Sequence, residues 1–132
     1  MGEENTVAQK KVCIVDDTAE IRDIYSIKFT REGFAVVTAK DGVEALQVIK
    51  EERPDVILLD IQMPVLDGLG VLKALKADSV LSKIPVVILS NVNQDDMFQK
   101  ISDLGGAQYY LVKSLTTPQK IIDITLDALA GR

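Results

Sequence analysis

The sequence predicts an α/β domain in which five strands alternate with five helices around a parallel sheet covered on both faces. Three observations predict it. Short runs rich in Val, Ile and Leu recur along the chain, and each is followed by a stretch whose apolar residues fall at helical spacing. The runs lack the polar alternation of a strand with one wet face, so both of their faces must be buried, as in parallel sheets. Four of the runs end in a polar or charged residue, at Asp16-Asp17, Asp60, Ser90 and Lys113.

Each element has its own signal. Residues 1–9 are polar and unpatterned and are expected to form a disordered leader, with the domain occupying 10–132. Residues 11–15 form a first buried strand. Asp17 with Glu20 has the spacing of a capping box, and Ile21, Ile24, Tyr25 and Phe29 give a helix over about residues 18–31, closed by Gly33. Residues 34–39 are a second strand. Asp41 with Glu44 repeats the box, and Ala45, Leu46 and Ile49 supply the buried stripe of a helix that stops before Pro54.

The third strand, 56–59, ends at Asp60, and a loop holding Pro64 and the turn dipeptide Asp67-Gly68 leads to Leu69, Leu72 and Leu75 at helical spacing. The fourth strand, 85–89, ends in Ser90-Asn91. Met97, Ile101 and Leu104 mark the following helix, which Gly105-Gly106 terminates. The fifth strand, 109–112, ends at Lys113, and Thr117-Pro118 is an N-cap with Pro at the first helical position. Ile121, Ile122, Leu126 and Leu129 then define the last helix.

Composition excludes several function classes. A chain of 132 residues suits one domain with a single core. The formal net charge of -5, with 15 Lys and Arg scattered among 20 Asp and Glu, provides no basic stripe for nucleic acid. The lone Cys13 lies within an apolar run and cannot build a disulfide or thiolate metal site, and the chain has no His. No apolar run approaches the roughly 18 residues of a membrane span, and no secretory pattern opens the chain, so a cytoplasmic protein without membrane contact is expected. The pair Gly68 and Gly70 lacks the third glycine of a dinucleotide loop, Lys73 standing in its place.

A parallel sheet puts all strand carboxyl ends on one edge, so Asp16, Asp17, Asp60, Ser90 and Lys113 must converge. Crowded carboxylates repel unless a cation joins them, and oxygen donors without His or Cys favour a hard ion such as Mg²⁺. A divalent ion, the Lys113 ammonium and the Ser90 hydroxyl together could clamp three phosphoryl oxygens while the Asp60 carboxylate attacks as nucleophile. The chemistry this implies is aspartyl phosphorylation.

On these residues the chain resembles a receiver domain of the two-component response-regulator family, across about residues 10–131. The resemblance rests on Asp16-Asp17, on Asp60-Ile61-Gln62-Met63-Pro64 with Asp67-Gly68, on Ser90, and on Tyr109-Tyr110-Leu111-Val112-Lys113. It implies a flavodoxin-like sheet of strand order 2-1-3-4-5 and a phosphoryl group accepted on Asp60 from a sensor histidine kinase or a histidine phosphotransfer protein. It further implies Mg²⁺ held by Asp17, Asp60 and the backbone carbonyl of Gln62, with Asp16 reaching it through water. Ser90 and Lys113 match the phosphoryl-binding hydroxyl and ammonium, and Tyr110 the aromatic rotamer switch. A downstream protein target or a second receiver is expected to dock on the fourth helix, fifth strand and last helix.

The chain departs from the family pattern in three places. Ser114 follows Lys113 where the family usually has proline, Asn91 stands where a small residue is usual, and no output domain is expected after the last helix. Two other readings compete with a stand-alone receiver. One is a receiver-like adaptor that binds partners without phosphate, against which the intact acidic pair, Asp60 and Lys113 argue. The other is an aspartyl phosphohydrolase of the haloacid-dehalogenase type, which wants a second acid two residues after the nucleophile, where this chain has Gln62.

Overall fold

The computed structural model describes residues 9–91 and 95–131. Five strands, β1 (Lys11–Val15), β2 (Ala35–Ala39), β3 (Val56–Leu59), β4 (Val86–Ser90) and β5 (Tyr109–Val112), form one parallel sheet in the order β2-β1-β3-β4-β5. Between and after them run α1 (Ala19–Arg31), α2 (Gly42–Glu52), α3 (Gly68–Lys76), α4 (Asp95–Asp103) and α5 (Pro118–Leu129), with 3₁₀ turns at Leu81–Lys83 and Lys113–Leu115. The strand order is the one the family resemblance implies. The expected leader falls, up to residue 8, outside the described residues; the Gln9 amide donates to the Gly33 carbonyl.

The continuous apolar runs are buried on both faces. Cys13, Val15, Ile57, Leu59 and Ile88 meet Ala45, Ile49, Leu72, Leu75 and Ile101 of α2, α3 and α4. Val12, Ile14, Val56, Leu58 and Leu89 meet Tyr25, Phe29, Ile121 and Ile122 of α1 and α5. Every side chain of β3 and β4 is buried, whereas the edge strands β2 and β5 are largely half-buried.

The helix ends follow local chemistry, with two corrections. The Asp41 carboxylate accepts from the Glu44 amide, and the Glu44 carboxylate accepts from the amide of Lys40. Thr117 caps α5 through the Lys120 amide, with Pro118 opening the helix. At α1, however, Asp17 is not the N-cap. The N-cap is Thr18, its side chain makes no capping bond, and the Thr18 amide is taken by Asp16. Asp67-Gly68 likewise is not the turn. Asp67 caps α3 by accepting from Gly70, while the chain reverses at Val65, whose φ of 71° closes a tight bond from the Leu66 amide to the Pro64 carbonyl.

Candidate functional site

The site is built by the ladder running one residue past the strands. The Asp16 amide donates to the Ala39 carbonyl at 3.1 Å, and the Asp60 amide donates to the Val15 carbonyl at 3.0 Å. The backbones of Asp16 and Asp60 are thus fixed side by side at the carboxyl edge of β1 and β3. Gly68 lets the loop close over them. A Cβ there would lie 2.2 Å from the Asp60 carbonyl oxygen and 2.8 Å from the Ile61 Cα, so the residue is glycine because of close approach, not because of a positive φ.

The acids converge as their strand positions require. One carboxylate oxygen from each of Asp16, Asp17 and Asp60 lies within 4.8 Å of the others. Asp16 and Asp60 are buried, at 3% and 5% exposure, and Asp17 is exposed. The Lys113 ammonium reaches this cluster from the turn just past β5, 97 residues away from Asp16 in sequence. It makes a close ion pair with Asp16 Oδ2 and lies 3.4 Å from Asp60 Oδ2. Further donors fix the carboxylates: the Thr18 amide at 2.9 Å from Asp16 Oδ1 and the Gln62 amide at 3.4 Å from Asp60 Oδ1. Ser90, fully buried, ends β4 in register with Val112, the residue before Lys113.

Electrostatics are tuned by burial and by Lys113. Burial pushes the Asp60 carboxyl above the ordinary carboxylate range; the Lys113 charge pulls it down and the Asp16 charge pushes it up, and the net is upward. For Lys113, burial alone depresses the ammonium, yet the bond to Asp16 and the charges of Asp60 and Asp16 outweigh it and the net is a raised pKa. Tyr25, which helical spacing marks only as core, stands within electrostatic reach from α1. Burial raises its phenol, the Lys113 charge opposes this and the Asp16 charge adds to it.

Three carboxylates against one ammonium leave negative charge that a hard divalent cation satisfies, and the donor set is oxygen alone. These residues fit Mg²⁺. Beside them opens a cleft of about 570 Å³ lined by Asp17, Gln62, Met63, Asp67 and Lys100. Tyr110 is half-buried on the face of the sheet that packs against α2, α3 and α4, and it borders a second cleft of about 280 Å³ with Ile101 and Gly106.

Periodicity and strand-end logic missed two contacts around the site. The Arg22 guanidinium donates to the Asp16 carbonyl at 2.8 Å, and the Asn91 side chain accepts from the Ser114 amide at 3.0 Å. The Lys113-Ser114 peptide is trans, as are all peptide bonds among the described residues. Only the acid-to-amide spacing of Asp16 and Thr18 carries a local signal, that of an Asx turn.

Comparison with known proteins gives a consistent picture. The family model described as response regulator receiver domain matches residues 12–125. Sporulation initiation phosphotransferase F of Bacillus subtilis (strain 168) is 35% identical over 101 residues, which cover 76% of this chain and 80% of that protein. A probable transcriptional regulator, ycf27 of Guillardia theta, is 43% identical over 106 residues, covering 80% of this chain and 40% of that protein. The chain thus spans about two fifths of the length of such relatives. A solved structure of a Vibrio cholerae chemotaxis protein superposes with a TM-score of 0.85 at 31% identity, covering 92% of this chain and 99% of that one. The BeF3-activated N-terminal receiver domain of Klebsiella pneumoniae RstA gives 0.82 at 27% identity, covering 91% and 98%.

Proposed function

The chain belongs to the response regulator receiver domain family, and from that premise we propose that it is a phosphorylation-activated switch whose phosphoacceptor is Asp60. The donor is a sensor histidine kinase or a histidine phosphotransfer protein. The observation that carries this reading is the meeting of Asp16, Asp17 and Asp60 within 4.8 Å, with the Lys113 ammonium paired to two of them at the carboxyl edge of the sheet.

In the proposed step an oxygen of the Asp60 carboxylate attacks phosphorus. An O–P bond forms as the donor's N–P bond breaks, and the released imidazole takes up a proton. Negative charge spread over the phosphoryl oxygens is met by the Lys113 ammonium, which already stands 3.4 Å from Asp60, and by the Ser90 hydroxyl. Asp16 holds Lys113 in place before transfer. Mg²⁺, when bound, would be held by Asp17, Asp60 and the Gln62 carbonyl with Asp16 beside it, and would supply positive charge against the same oxygens. Gln62 has no carboxylate to serve as the second acid of a haloacid-dehalogenase hydrolase, and the reading is a switch and not a turnover enzyme.

The output is a change in the surface made by α4, β5 and α5, which a downstream protein or a second receiver reads. No helix among the described residues is long and apolar enough to cross a membrane. Membership of the receiver family supports a cytoplasmic protein with protein partners. The test is incubation with a small-molecule phosphodonor and Mg²⁺, followed by intact-mass measurement. The wild type should gain one phosphoryl group, labile in base, and Asp60→Asn none. An unchanged adduct in that variant places the nucleophile elsewhere.

A further inference from the structure

We propose that Asn91 and Ser114 form a latch that positions Lys113 over the acidic cluster, an inference that rests on the phosphoacceptor reading of the same site. The parallel ladder between β4 and β5 ends at the register pair Ser90 and Val112. One residue further on the backbones no longer pair, and the two strand ends are joined instead by the Ser114 amide donating to Asn91 Oδ1 at 3.0 Å, across 23 residues of sequence. A backbone N–H can only donate, so it fixes which end of the Asn91 amide faces the loop. The bond is specific to an oxygen acceptor at residue 91 and a non-proline residue at 114.

The bond acts through a shared peptide. The Ser114 amide belongs to the same rigid plane as the Lys113 carbonyl, and that carbonyl accepts from the Thr116 amide to close the Lys113–Leu115 turn. Holding the plane fixes the backbone from which the Lys113 side chain departs toward Asp16 and Asp60. Without the latch, an exposed turn beyond the last ladder bond must set the direction of the ammonium that touches both buried acids. Asn91 is also the neighbour of Ser90, so the latch ties together the two strand ends that carry the proposed phosphoryl-binding hydroxyl and ammonium. Asn91 is therefore a positioning residue that acts through Lys113.

Two measurements on the full chain test this. In the absence of any phosphodonor, the Ser114 amide should exchange with solvent deuterium roughly tenfold faster in Asn91→Ala than in the wild type, with the core amides of β3 and β4 unchanged. Equal exchange of Ser114 in both proteins overturns the latch. With a small phosphodonor, Asn91→Ala and Ser114→Pro should each slow phosphorylation of Asp60 roughly tenfold, the usual scale for a lost supporting contact. Ser114→Ala, which keeps the N–H, should behave as wild type, and the double variant Asn91→Ala/Ser114→Pro should be no slower than the worse single one, since both remove the same bond. Full additivity, or a Ser114→Ala defect equal to that of Ser114→Pro, refutes the positioning role. A wild type that takes up no phosphoryl group at all, with Ser114 still protected, refutes the underlying phosphoacceptor reading and leaves the bond standing.

Discussion

Asp60 is held where its charge is unwelcome. Its carboxyl is pushed upward chiefly by burial, against the pull of Lys113, so the folded metal-free protein binds a proton at Asp60 more readily than the unfolded chain does. A raised folded pKa on an acid means that its contribution to stability is greatest below the unfolded value of about 3.9 and is lost as pH rises through the folded value. In a chelator, Asp60→Asn should therefore melt at a higher temperature than the wild type at pH 7, with the gap closing as pH falls toward about 3. Thermal melts across that range decide it; a variant less stable at pH 7 would show that the Lys113 pair outweighs the burial. The clustered acids were legible from residue order because an acid that closes an apolar run in a parallel sheet must stand on the carboxyl edge, where the loops leave room for a ligand. The capping box at Asp17 failed because the helix begins one residue later than the spacing suggests, with Thr18 at the N-cap and its amide donating to Asp16. The Asn91 to Ser114 bond was not legible, since a contact between residues in two loops leaves no periodic trace.

At the scale of elements, the strands were read almost to the residue, because a run buried on both faces is apolar nearly throughout, Ser90 at the end of β4 being the exception. Helices were read less well on their exposed sides. Ile24 and Leu126 fit the spacing of buried stripes yet are 50% and 47% exposed. In α5 the buried position goes to Thr125, whose hydroxyl is satisfied by donating to the Ile121 carbonyl at 2.7 Å, so a polar residue sits inside at little cost while a leucine faces out. Two glycines decide how the loop over the site is shaped. A Cβ on Gly42 would stand 2.1 Å from the Leu66 carbonyl oxygen, and one on Gly68 would stand 2.2 Å from that of Asp60, both against backbone that cannot step aside. Gly68→Ala should cost about 1–3 kcal/mol of stability, the range for overpacking. Because the clash is with the peptide carrying Asp60, it should also slow phosphorylation, whereas Gly42→Ala should show the stability loss with a smaller rate effect. Urea denaturation beside phosphorylation rates separates the two; equal rate losses would mean that the loop moves as one body.

For the whole molecule, the alternation of strand and helix and the burial of both sheet faces were legible, while the order of the strands came only through resemblance. Five runs of similar hydrophobicity carry no label saying which lies beside which, apart from the half-buried character of the edge strands β2 and β5. That order matters to output because it places β4 beside β5, with Ser90 paired to Val112 and Ile88 to Tyr110, so that Ser90 and Tyr110 share one face of the sheet. On the proposed reading, Ser90 turns toward a phosphoryl group on Asp60 and the ring of Tyr110 moves into the space this opens. An aromatic ring in a packed site has few allowed rotamers, so the response should be a shift between two populations and not a gradual drift. The cleft that Tyr110 borders with Ile101 and Gly106 lies where the end of α4 meets β5, which is where such a shift reaches the surface. A partner selecting one state should gain about 1–3 kcal/mol on phosphorylation. Tyr110→Ala should then accept phosphate at the wild-type rate yet transmit it poorly. With a phosphoryl mimic bound, NMR shifts across residues 95–104 and 109–127 should be large in the wild type and much reduced in Tyr110→Ala; equal shifts in both would make Tyr110 ordinary packing and put the switch in another pair of residues.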